Sequence, residues 1–199
     1  MIQLVSNKIT DKLIENGIID NQEKEIYIYG LQQGMTMILN IATTLLIGIL
    51  FQMVWQSIVF MLAYIPLRSY AGGYHAKTQL RCHMLSVILI TVALLGIKMI
   101  QWTNFSSLLA TFLSGVVIFA LAPVADKNKP LDQKEKVVYK KKAIIILSIL
   151  ISAIVLLLLL GKSQILLCIT MALVILSFML VLGRIVHKNA DLELESQDV

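Results

Sequence analysis

The chain has 199 residues, 58% of them apolar and 15% charged, with a formal net charge of +5 and a mean hydropathy of +0.82. Soluble domains are nearer half apolar or below, so this composition excludes an ordinary soluble enzyme and points to an integral membrane protein. The two cysteines, Cys82 at the edge of one apolar run and Cys168 well inside another, are not expected to form a disulfide.

Residues 1–15 place Ile2, Val5, Ile9 and Leu13 at spacings of three and four, with Lys8, Asp11, Lys12 and Glu15 on the remaining arc. That spacing predicts an amphipathic helix on the membrane surface or against the bundle, stopped near Asn16-Gly17. The same charges interrupt any signal-peptide core, so no cleaved leader is expected. Asp20 followed by Glu23 resembles a capping box that opens a second helix.

Residues 26–67 carry no charge. One span needs only about 20 residues, so the run holds two helices turning near residues 52–56, the second expected to kink or end at Pro66. Further uncharged runs reach Ile97, then cover 99–125, 143–161 and 163–183. The fold class is therefore all-α, a polytopic membrane helix bundle of six spans preceded by an amphipathic helix. It divides into a surface helix (1–19), spans one and two (20–67), a polar segment (68–82), spans three and four (83–125), a basic loop (126–142), spans five and six (143–183) and a tail (184–199).

Cytoplasmic connections carry the excess of Lys and Arg. With the N-terminus inside, 15 of the 17 Lys and Arg residues fall on the inner side, leaving only Lys98 and Lys162 outside. Trp55 and Trp102 then sit at the outer interface, where indole rings favour the boundary with water. Both termini and segment 68–82 are expected to be cytoplasmic.

Segment 68–82 is where candidate catalytic chemistry gathers. It holds His75 and Cys82, a potential base and nucleophile, after Gly72-Gly73 and among Arg68, Lys77 and Arg81. A reducing cytoplasm keeps such a cysteine reduced. Thr78 is a candidate N-cap for span three, which would put Cys82 in its first turns, where the helix dipole and Arg81 favour a thiolate. On one continuous helix, residues seven apart would be about 10 Å apart along the axis, whereas direct proton transfer needs roughly 3 Å. His75 is therefore expected outside the helix, on a segment that doubles back through the freedom of Gly72-Gly73.

The string Arg68, Gly73-Tyr74-His75-Ala76 and Cys82 resembles the signature of the accessory gene regulator protein B (AgrB) family, as does the layout of the whole chain with its lysine-rich central loop. Members are membrane cysteine endopeptidases of bacterial quorum sensing that process AgrD-type signal-peptide precursors. The resemblance implies Cys82 as nucleophile, His75 as base, Arg68 and Gly73 as further motif positions, and Gln32 or Gln33 as a polar position near the start of the first span. The implied partner is an AgrD-type propeptide, cleaved through an acyl-enzyme thioester and cyclised to a thiolactone or lactone.

No Asp or Glu lies between Glu25 and Asp126, so a dyad oriented by an amide or hydroxyl, from Gln32, Gln33 or Ser69, is expected rather than a carboxylate triad. His83 with His75 and Cys82 matches no zinc spacing, and no metal or cofactor is expected. The lysine-rich loop reads as a topology determinant in contact with anionic lipid. A sharper reading has Lys140, Lys141 and Lys142 attract an acidic tail on the precursor. These lysines flank spans without interleaved aromatics, which argues against nucleic acid. Gly30 and Gly34 form G-x-x-x-G, a mark of close helix contact and of a candidate homodimer. The main alternative is a non-catalytic peptide transporter or export subunit gated by segment 68–82. It is disfavoured because no ionisable residue lies deep in a span and no inverted repeat is evident.

Overall fold

The structure, a computed structural model, describes residues 2–74, 78–124 and 132–195. Among these the chain is a helical membrane bundle. After α1 (Ile2–Glu15) and a 3-10 turn (Asn21–Glu23) come α2 (Lys24–Leu50), α3 (Val54–Ala71), α4 (Gln79–Met99), α5 (Asn104–Leu121), α6 (Gln133–Leu159) and α7 (Ser163–Glu195). All but α1 and α3 are long and apolar enough to cross a membrane. Helix α3 has only 18 residues and includes both Pro66 and Arg68.

The helix ends follow local chemistry. Asp20 accepts from the Asn21 amide. Thr103 with Ser106 and Asp132 with Glu135 form capping boxes at α5 and α6, satisfying amides that a first turn leaves unpaired. Gly17, at φ +69°, turns the chain out of α1.

Helix α7 is the centre of the bundle, packed most extensively against α5 and α3. Its Leu173, Leu176 and Leu180 are fully buried, and so is Cys168. Cys168 is thus a packing residue, joined by no disulfide. The hydroxyls of Thr111 and Thr170 meet at 3.0 Å between α5 and α7.

Three local features differ from expectation. Of the two outcomes expected at Pro66, a kink or an end, the end does not occur: α3 continues to Ala71, and its packing against α7 and α6 offsets the lost backbone bond. The basic stretch read as a loop is helical from Gln133 onward, so Lys140, Lys141 and Lys142 lie on α6, and the tail is helical as far as Glu195. Helix α1 packs on α2, but through Ser6 and Thr10, both fully buried, while Val5 and Ile9 stay exposed. The Ser6 hydroxyl donates to Ile2 O and the Thr10 hydroxyl to Ser6 O, so burying them leaves no donor unpaired, and their small size lets the backbones approach. Lys24 and Asp11, at 2.7 Å, tie the end of α1 to the start of α2.

Candidate active site

Helix α3 stops where it meets two other helices. The Gly72 amide closes the helix on Arg68 O at 3.0 Å, and Gly72 and Gly73 then take φ of +71° and +120°, which only glycine adopts cheaply. The backbone runs beside the exit of α5: Val124 N–H donates to Ala71 O at 2.9 Å and Gly73 N–H to Val124 O at 3.4 Å, pairing Gly72 with Val124 in an isolated parallel bridge. The Tyr74 amide next donates to Met179 O of α7 at 3.0 Å. The crossing is so close that a Cβ on Gly183 would stand 2.7 Å from the Tyr74 nitrogen and 2.9 Å from the Gly73 carbonyl carbon.

Arg68 completes this cradle. Its Nη1 donates to Gly72 O and its Nη2 to Tyr74 O. A charged donor strengthens each bond, and the planar fork suits two carbonyls at once. The residue expected to be part of a catalytic motif therefore grips the turn that leads into His75.

On the far side, Thr78 caps α4 by accepting from the Arg81 amide. Cys82 N–H donates to Thr78 O at 3.0 Å, so Cys82 stands in the first turn, half-buried, as the sequence predicts. The ring of the half-buried Tyr64 of α3 stacks on Phe60 with centroids 5.3 Å apart. One residue beyond Cys82, His83 Nδ1 meets Asn40 Oδ1 of α2 at 2.7 Å. His75 and Lys77 lie outside the described residues.

The remaining candidates separate clearly. Gln32 is half-buried on α2 whereas Gln33 is exposed. Ser69 is exposed, its hydroxyl donating to Ile65 O of its own helix at 2.8 Å. Lys142 sits over the Tyr70 ring, Nζ to centroid 4.9 Å, and the same ring meets Tyr139 edge-on at 5.7 Å. All three lysines are exposed, but Lys142, through this contact, joins α6 to the end of α3. Sequence reasoning missed Val124, Met179 and Gly183, since nothing local to an apolar span marks them as neighbours of segment 68–82. Asn40, the only asparagine in the charge-free run 26–67, did carry a signal.

The chain matches the family Accessory gene regulator B over residues 6–180. It is 28% identical over 143 residues to a putative AgrB-like protein of Clostridium perfringens (strain SM101 / Type A), covering 68% of this chain and 67% of that protein. It is also 29% identical over 143 residues to putative AgrB-like protein 2 of Clostridium perfringens (strain 13 / Type A), with the same coverage of 68% and 67%. Accessory gene regulator protein B of Staphylococcus intermedius is 28% identical over 91 residues, covering 45% of this chain and 47% of that protein. No solved structure matches the chain. With the match running through the cradle and Cys82, the chain belongs to the accessory gene regulator B (AgrB) family, which acts in agr quorum sensing.

Proposed function

We propose that this chain is a membrane cysteine endopeptidase that removes the C-terminal segment of an AgrD-type propeptide and promotes its macrocyclisation. The observation that carries the reading is the anchoring on both flanks of the His75 segment. Tyr74 is held by Met179 and Arg68 on one side, and Thr78 caps the Cys82 helix on the other.

In this scheme His75 takes the thiol proton of Cys82, and the thiolate attacks the carbonyl carbon of the scissile peptide bond. The C–N bond breaks, the C-terminal segment leaves as an amine that accepts the proton, and the rest stays on Cys82 as a thioester. A thiol of the precursor attacks that thioester, freeing Cys82 and closing a thiolactone; a hydroxyl would close a lactone. Thioester exchange is nearly balanced, so excluding water from the acyl-enzyme matters, and a half-buried cysteine at the start of a membrane helix suits that need. Of the groups that could orient His75, Gln32 fits best, because it is half-buried whereas Gln33 and Ser69 are exposed.

The distribution of Lys and Arg supports six spans with both termini and the site on the cytoplasmic side, in contact with anionic lipid. Lys140 and Lys141, exposed on α6, are the residues to meet an acidic precursor tail. A homodimer packed through the Gly30–Gly34 face belongs to the same reading: no atom of the described structure would meet a Cβ at either glycine. Crosslinking in membranes that returned monomer alone would remove it.

The deciding experiment incubates a candidate precursor with the protein in liposomes and compares wild type with Cys82→Ala by mass spectrometry. Cleavage that needs Cys82, with a product one water lighter than the linear peptide, is the expected result. Cleavage that survives Cys82→Ala overturns the mechanism.

A further inference from the structure

Helix α4 carries Cys82, yet little in its sequence fixes which way it faces. From Met84 to Ile97 it is apolar nearly all round: Ile90, Ala93 and Leu94 point into the bundle, while Met84, Ile88 and Val92, just as hydrophobic, are more than half exposed. Lipid tails are as apolar as leucine, so hydrophobicity supplies no torque that would choose one rotation over another; interhelical packing and polar bonds must do so. At the end of α4 that bears Cys82, one such bond is present. His83 Nδ1 and Asn40 Oδ1, both residues half-buried, meet at 2.7 Å between α4 and the middle of α2. With Oδ1 facing the ring, Nδ1 is the donor.

His83 follows Cys82 directly, so their side chains leave α4 about 100° apart. Fixing one direction fixes the other. Turning α4 by 20° would sweep a side-chain atom roughly 5 Å from the axis through about 2 Å, whereas reacting groups must be held to about 0.5 Å. With His83 directed at α2, Cys82 leaves α4 on another side of a helix that also packs against α3, the helix that leads into the glycine turn.

We propose that Asn40 and His83 form a positioning pair whose hydrogen bond sets the rotation of α4 and so aims the Cys82 thiol at the end of α3. The pair acts through Cys82 and touches no reacting atom, and the inference rests on Cys82 being the nucleophile.

The test uses the full chain in liposomes, with steady-state precursor cleavage over a range of precursor concentrations and maleimide alkylation of Cys82, read by mass spectrometry of the Cys82 peptide. Asn40→Ala and His83→Ala should each lower kcat about 10- to 100-fold, the cost of roughly 1 Å of misplacement, with KM within about twofold, and should change the Cys82 alkylation rate. His83→Gln, which keeps an N–H donor, and the exchanged pair Asn40→His with His83→Asn should recover most of both. These variants keep the inference falsifiable should an alanine variant fail to reach the membrane. If the alanine variants keep kcat within about threefold while Cys82→Ala abolishes cleavage, the pair is ordinary packing and the inference falls alone. If cleavage ignores Cys82, the mechanism falls instead. The alkylation rate then decides for the pair when it shifts in the alanine variants and returns in the exchanged pair, and against it when it is constant.

Discussion

The amide of Tyr74 donates to the carbonyl of Met179 at 3.0 Å, binding the segment before His75 to the middle of α7, far along the chain. Met179 is buried, and four residues later Gly183 leaves the space through which the Gly73–Tyr74 backbone passes. The catalytic reading therefore depends on a glycine remote in sequence.

Gly183→Ala should accordingly act as a site mutation. Its Cβ would meet backbone at 2.7 and 2.9 Å, which no rotamer change relieves. We expect precursor cleavage per inserted protein to fall at least about tenfold, equivalent to about 1.4 kcal/mol of barrier. Gly96→Ala is the matched control, because its Cβ would meet only the flexible end of Met171, Cε at 2.7 Å. Equal rates for the two variants would show that the Gly183 crossing has no bearing on the site.

Arg68→Lys tests the cradle. A lysine keeps the charge but is a point donor and cannot span the Gly72 and Tyr74 carbonyls with a planar fork. One charge-assisted bond lost costs about 1.5–3 kcal/mol, so thermal unfolding in detergent should move down together with cleavage. Wild-type melting combined with lost cleavage would instead place the guanidinium on the substrate.

Much of this was legible in the sequence because spans are written as charge-free runs, and because His75, Cys82, Gly72 and Gly73 stand close together in the chain. Thr78 was readable as a cap for the same local reason. What escaped was set by tertiary contact. Pro66 looks like a terminator until α3 is seen packed past it. The stripe of Ile2, Val5, Ile9 and Leu13 suggests the packing face of α1, yet Ser6 and Thr10 are buried instead, because their hydroxyls bond within the helix. Val124 and Met179 offer backbone carbonyls, which no residue type advertises.

The three lysines grouped by sequence should divide by function. Lys142 lies over the Tyr70 ring, a contact worth about 0.5–1 kcal/mol at an exposed site that braces the end of α3. Lys142→Gln should lower stability or kcat slightly and leave KM for an acidic-tailed precursor unchanged. Neutralising Lys140 and Lys141 should raise that KM, more at low salt than at high, since exposed charges are screened. A salt-dependent KM effect from Lys142→Gln alone would reverse the assignment.

Adjacent glutamines supply the last discrimination. Gln32 is half-buried, one turn before the buried Thr36 on the same helical face. Gln33, rotated by about 100°, is exposed. Gln33→Ala should fall within about 0.5 kcal/mol of wild type in stability, as exposed substitutions do, and should leave cleavage intact. Gln32→Ala should reduce kcat about 10- to 100-fold, the range expected when a group that orients a base is lost, with little change in KM. Gln32→Glu separates orientation from mere packing: a carboxylate can still accept from an imidazole N–H, so it should retain more activity than alanine. Equal loss in both variants, with the protein present in the membrane at wild-type level, would assign Gln32 to packing and leave the orienting role to another group.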